Sequence, residues 1–200
     1  MKKQVVVIHG GDTFDTHEEY LEFLRDYMVD LDKLRGKRWG VSLQDDLGDD
    51  FDVILIKMPC KDNAKYSEWK LWFEKYIPLF NDEVILVGHS LGGIFLAKYL
   101  SENKFPKKLR GAFLVSAPYD DETQDSLGDF RLERSLEQLK NQVTDIYLYH
   151  SKDDDVVRFA DFESYKKELP NAHAEAFEDR GHINQEKFPE LIRDIKKVFA

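Results

Sequence analysis

The chain has one cysteine, Cys60, in 200 residues. That excludes an intramolecular disulfide and fits a reducing compartment. Basic charge is in the minority: 29 Lys and Arg stand against 39 Asp and Glu, a net charge of −10. Sequence-independent nucleic-acid binding needs a basic face, so no nucleic-acid partner is expected, and the acidity reads as solubility. No apolar run approaches membrane-spanning length. Lys2 and Lys3 are followed by only four consecutive apolar residues, Val5 to Ile8, before His9-Gly10-Gly11. That is too few for the apolar region of a signal peptide. The expectation is a cytoplasmic protein with no membrane association. Internal repeats, low-complexity tracts and interdomain linkers are also missing. At 42% hydrophobic residues the chain can bury a core, and one domain over residues 1–200 is expected. Neither G-x-G-x-x-G nor G-x-x-x-x-G-K-[ST] occurs, which argues against nucleotide binding at His9-Gly10-Gly11.

What is present is a series of short apolar runs separated by longer periodic stretches. Val5-Val6-Val7-Ile8, Val53-Ile54-Leu55-Ile56, Val84-Ile85-Leu86-Val87, Ala112-Phe113-Leu114-Val115 and Ile146-Tyr147-Leu148-Tyr149 read as buried strands, with a last strand over 172–177. Between them, Thr16-x-x-Glu19 is a capping box. Leu21, Leu24, Met28, Leu31 and Leu34 follow it at helical spacing, predicting a long amphipathic helix that ends near Gly36. Residues 37–50 read as a connection. Trp69, Trp72, Phe73, Tyr76 and Phe80 mark a helix packed on a sheet. Phe159 to Leu169 and Phe188 to Val198 predict two more, with Pro189 suited to a first helical turn. Strands alternating with helices imply a parallel sheet covered on both faces. Residues 119–142 hold an acidic loop and an amphipathic piece through Leu132, Leu136 and Leu139. A small lid, if the chain has one, falls there, and a solvated loop with a connecting helix fits equally.

The chain is organised around Gly88-His89-Ser90-Leu91-Gly92-Gly93. A strand precedes it and the apolar stretch from Ile94 to Leu100 follows. Strand, sharp turn on one serine, and helix make a nucleophile elbow, G-x-S-x-G. The glycines stand where a Cβ would meet packed backbone, and the helix aims its N-terminal amides at the site. A neutral serine hydroxyl needs a base, and the base needs a carboxylate. On this topology the order is Ser, then Asp or Glu, then His. Of six histidines, His182 alone lies just past the last strand, beside Gly181 and before the final helix, and is the expected general base. His89 inside the elbow reads as packing and hydrogen bonding. The acid is one of Asp153, Asp154 and Asp155, which follow the fifth strand. The oxyanion of an acyl transfer needs donors. The Leu91 amide is one. Gly11, with Asp12 behind it, is the candidate for the other, backbone at Gly10-Gly11 being free to approach a ligand closely.

With these residues in place the chain resembles an α/β-hydrolase. More narrowly, it is similar to the small serine hydrolases of the retinoblastoma-binding, YdeN-like family. The resemblance rests on Lys57-Met58-Pro59 followed by Trp69, on the Ser90 elbow, on Leu114-Val115-Ser116-Ala117, on Ser151-Lys152-Asp153-Asp154, and on Gly181-His182 before a C-terminal helix. It implies a three-layer sandwich with a mostly parallel sheet, lacking the two leading strands of larger members, with a small lid or none. The family's spacing selects Asp154 as the acid, in an Asp-x-x-Val-Pro pattern from which this chain departs by carrying Arg158 in place of the proline. The implied reaction is hydrolysis of a small ester or related acyl substrate through a covalent acyl-enzyme, with Ser90, His182 and Asp154 catalytic and no metal or cofactor. Thioester and amide substrates, and acyl transfer, stay open. A small lid suggests short acyl esters. The competing reading is a binding protein on a hydrolase scaffold, with a protein partner unspecified.

Overall fold

The computed structural model describes residues 2–31, 35–120, 126–132 and 135–200. Six strands form one sheet: β1 Lys3–Ile8, β2 Phe51–Ile56, β3 Glu83–His89, β4 Lys108–Val115, β5 Val143–Ser151 and β6 His173–Phe177. Their order is β2-β1-β3-β4-β5-β6, and every pair is parallel. Strands buried on both faces need apolar side chains at consecutive positions, which is why they read as runs rather than alternations. The pleat divides them. Val6, Ile8, Leu86 and Leu114 enter one core; Val5, Val7, Ile85, Val87, Phe113 and Val115 enter the other.

The helices of the described residues are α1 His17–Asp26, α2 Trp39–Leu47, α3 Tyr66–Tyr76, α4 Leu91–Glu102, α5 Glu137–Gln142, α6 Phe159–Glu168 and α7 Pro189–Val198. Side chains of α3 to α6 fill the first core, and α2 and α7 cover the second. The chain leaves β1 for β2 on one side and returns to β3 on the other. This reversal of strand order puts a crevice at the carboxyl ends of β1 and β3, the place where open α/β sheets bind ligands.

Two expectations between β1 and β2 are corrected. The capping box forms as read, with Thr16 accepting from the Glu19 amide and Glu19 reaching back. The helix it starts, however, stops at Asp26, and Tyr27 is extended. Met28, Val29 and Leu31 are exposed, so no core burial sustains a longer helix; Leu34 lies outside the described residues. The supposed connection over 37–50 contains α2 instead. Trp39, Leu43 and Leu47 are buried at a four-residue spacing, and Gly48 ends the helix at φ 87°.

In the 119–142 stretch, Leu127, Phe130, Leu136 and Leu139 are buried in the first core, and Asp129 accepts from the Tyr66 and Ser67 amides at the start of α3. Residues 121–125 and 133–134 of that stretch lie outside the described residues.

Candidate active site

β3 delivers its last residue, His89, straight into Ser90, and α4 begins at Leu91. Ser90 has φ 55° and ψ −126°, a conformation that L residues with a side chain rarely hold unless the surroundings enforce it. The surroundings do. A Cβ at Gly88 would run into the Gly92 carbonyl, and one at Gly92 into the Ile8 carbonyl. The Ser90 amide donates to Val115 O at 2.8 Å, tying the turn to β4. From Leu91 to Ser101 every residue of α4 is buried, so the turn is clamped between a central strand and a core helix. The Leu91 and Gly92 amides that open α4 have no carbonyl one turn earlier in the helix to pair with, and they lie at the positive end of the helix dipole.

Asp154 and His182 approach from the other half of the sheet. Asp154 follows β5; its side chain is fully buried. His182 Nδ1 lies 3.0 and 2.9 Å from the two Asp154 oxygens. A carboxylate only accepts, so Nδ1 carries the imidazole proton and Nε2 keeps its lone pair. Burial pushes the Asp154 carboxyl up. The His182 hydrogen bond and charge, together with the Val157 and Val156 amides at 2.9 Å each, outweigh that and hold it at about 2. The three adjacent carboxylates are thereby separated. Asp153 accepts from the Ser151 hydroxyl and, at 2.8 Å, from the Gly181 amide, so it holds the turn that carries His182. Asp154 holds the ring.

The His182 turn is fixed from below as well. Gly181 has φ 50° and Ile183 φ 47°; a β-branched residue in that region is an outlier. Ile183 is locked because its side chain is fully buried while its carbonyl accepts from Trp39 Nε1 at 2.9 Å. The Trp39 amide donates to Gln185 O at 2.8 Å, and the Ser42 hydroxyl to Glu186 O at 2.7 Å. Nε2 of His89 donates to the His182 carbonyl at 2.9 Å. The His89 ring packs edge-on to Trp39 and 4.8 Å from the His182 ring. Full burial first, then the nearby His182, lowers the His89 pKa to about 3. It stays a neutral donor, the packing and bonding role its sequence position suggested.

His9 orders the loop after β1. The Met58 amide donates to His9 Nε2 at 2.9 Å, so the ring proton is on Nδ1, which donates to Gly10 O at 2.6 Å. Burial lowers the His9 pKa and keeps the ring neutral. In a trans peptide the carbonyl and the next amide point in opposite directions. Pinning Gly10 O therefore aims the Gly11 N–H the other way. Gly10 stands beside the serine: a Cβ there would sit 2.9 Å from Ser90 Cβ. The Asp12 amide, the reserve candidate, already donates to Lys61 O at 2.8 Å.

Ser90, His182, Gly10, Gly11 and Asp12 line one cavity of about 950 Å³. The structure thus places Gly11, Ser90 and His182, far apart in the sequence, on one cavity, with Asp154 on the His182 ring and Leu91 next to Ser90 at the start of α4. Sequence reasoning missed three supports: Trp39, whose spacing with Leu43 and Leu47 was legible; His9, read only as part of a turn; and His150. His150 is buried, donates through Nε2 to Val157 O at 2.8 Å, and lies 3.6 Å from Asp154. Nothing in its local sequence distinguishes it from any other strand histidine. Among the described residues no group of His, Cys, Asp and Glu is arranged to hold a metal ion, and no helix is long and apolar enough to cross a membrane.

A serine elbow and an imidazole–carboxylate pair, all at the carboxyl edge of a parallel sheet sandwiched by helices, define an α/β-hydrolase. Comparison with known proteins narrows the class. The chain belongs to the serine hydrolase family, whose model matches residues 33–194. It is similar to the serine hydrolase RBBP9 of Rattus norvegicus, 27% identical over 153 residues that make up 75% of this chain and 79% of that one. Among solved structures it resembles the ydeN gene product of B. subtilis, with TM-score 0.77 and 20% identity over 99% of both chains. It also resembles Est1E from Butyrivibrio proteoclasticus, with TM-score 0.64 and 14% identity over 99% of this chain and 87% of that one. At these identities the structural likenesses speak to the fold.

Proposed function

We propose that Ser90, His182 and Asp154 act as a nucleophile–base–acid triad that hydrolyses carboxylic esters or closely related acyl compounds. The observation that carries this reading is the Asp154 carboxylate on His182 Nδ1, which leaves Nε2 as an acceptor in the same cavity as a strained Ser90.

In the first step Ser90 Oγ attacks the acyl carbon while His182 Nε2 takes the hydroxyl proton. Asp154 keeps the ring in the required tautomer and stabilises the imidazolium without itself taking the proton. The carbonyl oxygen gains negative charge, met by the Leu91 amide at the start of α4 and by the Gly11 amide that His9 orients. Collapse expels the alcohol, which takes the proton from His182. Water, deprotonated by the same ring, then attacks the acyl carbon; the bond to Ser90 Oγ breaks, Oγ takes the proton back from His182, and the carboxylic acid leaves. The neutral rings of His89 and His9 serve as scaffolding. A soluble cytoplasmic enzyme needing no cofactor fits this chemistry, and esters are the favoured substrate because two structural neighbours are named as an esterase and an esterase domain.

The test is covalent labelling with a fluorophosphonate. Intact protein is labelled and Ser90→Ala is not. On nitrophenyl esters, Ser90→Ala loses all but background turnover, and Asp154→Asn, which favours the wrong tautomer of His182, lowers kcat by about 10⁴-fold. A folded intact protein that neither takes the probe nor turns over any ester is a binding protein on this scaffold.

A further inference from the structure

The cavity around Ser90, at about 950 Å³, lies at the upper end of the range for small-molecule sites, about 300–1,000 Å³. A short acyl group would leave most of it empty. Its lining is mixed: Arg38, Lys57, Lys61, Asp62 and Asn184 bring polar groups to it, and beside them runs an apolar wall. Phe23 and Leu24 of α1, Tyr27 at its end, Val41 of α2, Leu55 of the edge strand β2 and Val156 after β5 all line it. Single exposed apolar residues are ordinary on a soluble protein. Here Leu24, Tyr27, Val41, Leu55 and Val156, five of the eleven large apolar side chains exposed among the described residues, converge on the one cavity that contains the nucleophile. Four separate elements contribute to it, so no single helix accounts for the pattern.

α1 adds a second observation. None of its residues is buried, although Phe14, Phe23 and Tyr27 form a continuous aromatic row along it, with ring centroids 5.1 and 5.4 Å apart. A helix with an apolar face and no core beneath it gains its burial from whatever fills the space it borders. That space is the cavity. The serine hydrolase family match begins at residue 33, beyond α1, so Phe23, Leu24 and Tyr27 lie outside the matched span and Val41, Leu55 and Val156 within it.

We propose that the wall of Phe23, Leu24, Tyr27, Val41, Leu55 and Val156 binds a hydrocarbon chain attached to the scissile ester, making medium-chain esters the substrates. The proposal rests on the hydrolase reading of Ser90. It reverses the short-acyl expectation, which came from loop length alone.

The experiment is a series of nitrophenyl acetate, butyrate, hexanoate and octanoate, each below its aggregation limit, with a matching series of alkyl acetates to tell an acyl-side chain from an alcohol-side one. In one series kcat/KM rises about two- to fourfold per added methylene, the burial of apolar surface being worth up to about 0.8 kcal/mol per CH₂. Leu24→Asp and Val41→Asp, both at exposed positions, each lower the octanoate-to-acetate ratio about tenfold. Leu71→Asp, exposed on α3 and outside the cavity, leaves the ratio as it was. A flat response in both series, or a ratio indifferent to Leu24→Asp and Val41→Asp, overturns the proposal while acetate turnover keeps the hydrolase reading standing. A Leu24→Asp change that splits a dimer in gel filtration with the ratio unaltered overturns it too, assigning the face to a second copy. If no ester is cleaved, the hydrolase reading falls. The wall is then decided by calorimetric binding of octanoate: affinity lost in Leu24→Asp supports it, and no binding to the intact protein refutes it.

Discussion

Two helices share the connection between β1 and β2, and they relate to the fold in opposite ways. α1 has every local feature of a helix start, including a reciprocal capping box, yet it buries none of its residues. α2 has no side-chain cap, yet Trp39, Ser42, Leu43 and Leu47 are buried and its first turn bonds to three backbone carbonyls of the His182 loop. Local signals decide where a helix begins; tertiary contact decides what it holds. The division suits the proposed catalysis. α2 fixes the turn of His182, the proposed general base, which would have to be placed within a fraction of an ångström. α1 borders the cavity proposed to take the hydrocarbon chain.

The sharpest break of this comparison is Trp39→Ala. It removes a side chain only 4% exposed, together with the indole bond to Ile183 O, and opens a cavity beneath His89 and Phe188. A loss of about 3–5 kcal/mol in urea unfolding is expected, with turnover falling further than the unfolded fraction explains because the His182 turn loses its anchor. A stability loss under about 1 kcal/mol would mean that α2 is no more integral than α1.

The strands, their parallel arrangement, the elbow and the turn that carries His182 were legible because each depends largely on local sequence. Four apolar residues before a glycine make a buried strand wherever the chain goes, and Gly88 and Gly92 answer to backbone packed within one turn. The end of α1 and the whole of α2 were misread because hydrophobic spacing reports a face and not what the face meets. Leu24 and Leu31 keep a helical period over solvent or the cavity, whereas Gly40, Gly48 and the run of aspartates masked the spacing of Trp39, Leu43 and Leu47. The choice among Asp153, Asp154 and Asp155 needed coordinates because adjacent residues point in different directions and only side-chain geometry separates them. With Arg158 where the family pattern has proline, the Val156 and Val157 amides donate to the Asp154 carboxylate.

Acid titration sharpens the same contrast at smaller amplitude. His89, packed on Trp39, has its pKa lowered to about 3 in the folded chain, against about 6.5 when unfolded. The unfolded state therefore takes up this proton first. The stability His89 supplies is whole above about pH 6.5 and is lost as the pH falls toward about 3, with a limiting slope near 1.4 kcal/mol per pH unit. Asp154, at about 2 against about 3.9 unfolded, adds a second loss, confined to the window below about pH 4. His89→Gln retains an amide donor for the His182 carbonyl but takes up no proton. Unfolding free energies of this variant between pH 6.5 and 4.5 should fall by about 2 kcal/mol less than those of the intact protein. Parallel curves would place the acid sensitivity elsewhere.

The smallest effect is expected where α1 runs out. Met28 is 87% and Leu31 60% exposed, and neither lines the cavity. Replacing either with serine removes apolar surface that already meets water, so there is little transfer free energy to lose, and each change should stay within about 0.5 kcal/mol of the intact protein. A larger destabilisation in urea would mean that these side chains are covered in solution, as by a second copy. That finding would turn the surface half of the comparison into a second anchored region, and the adaptable wall proposed for the substrate would then have to be as rigid as the base it faces.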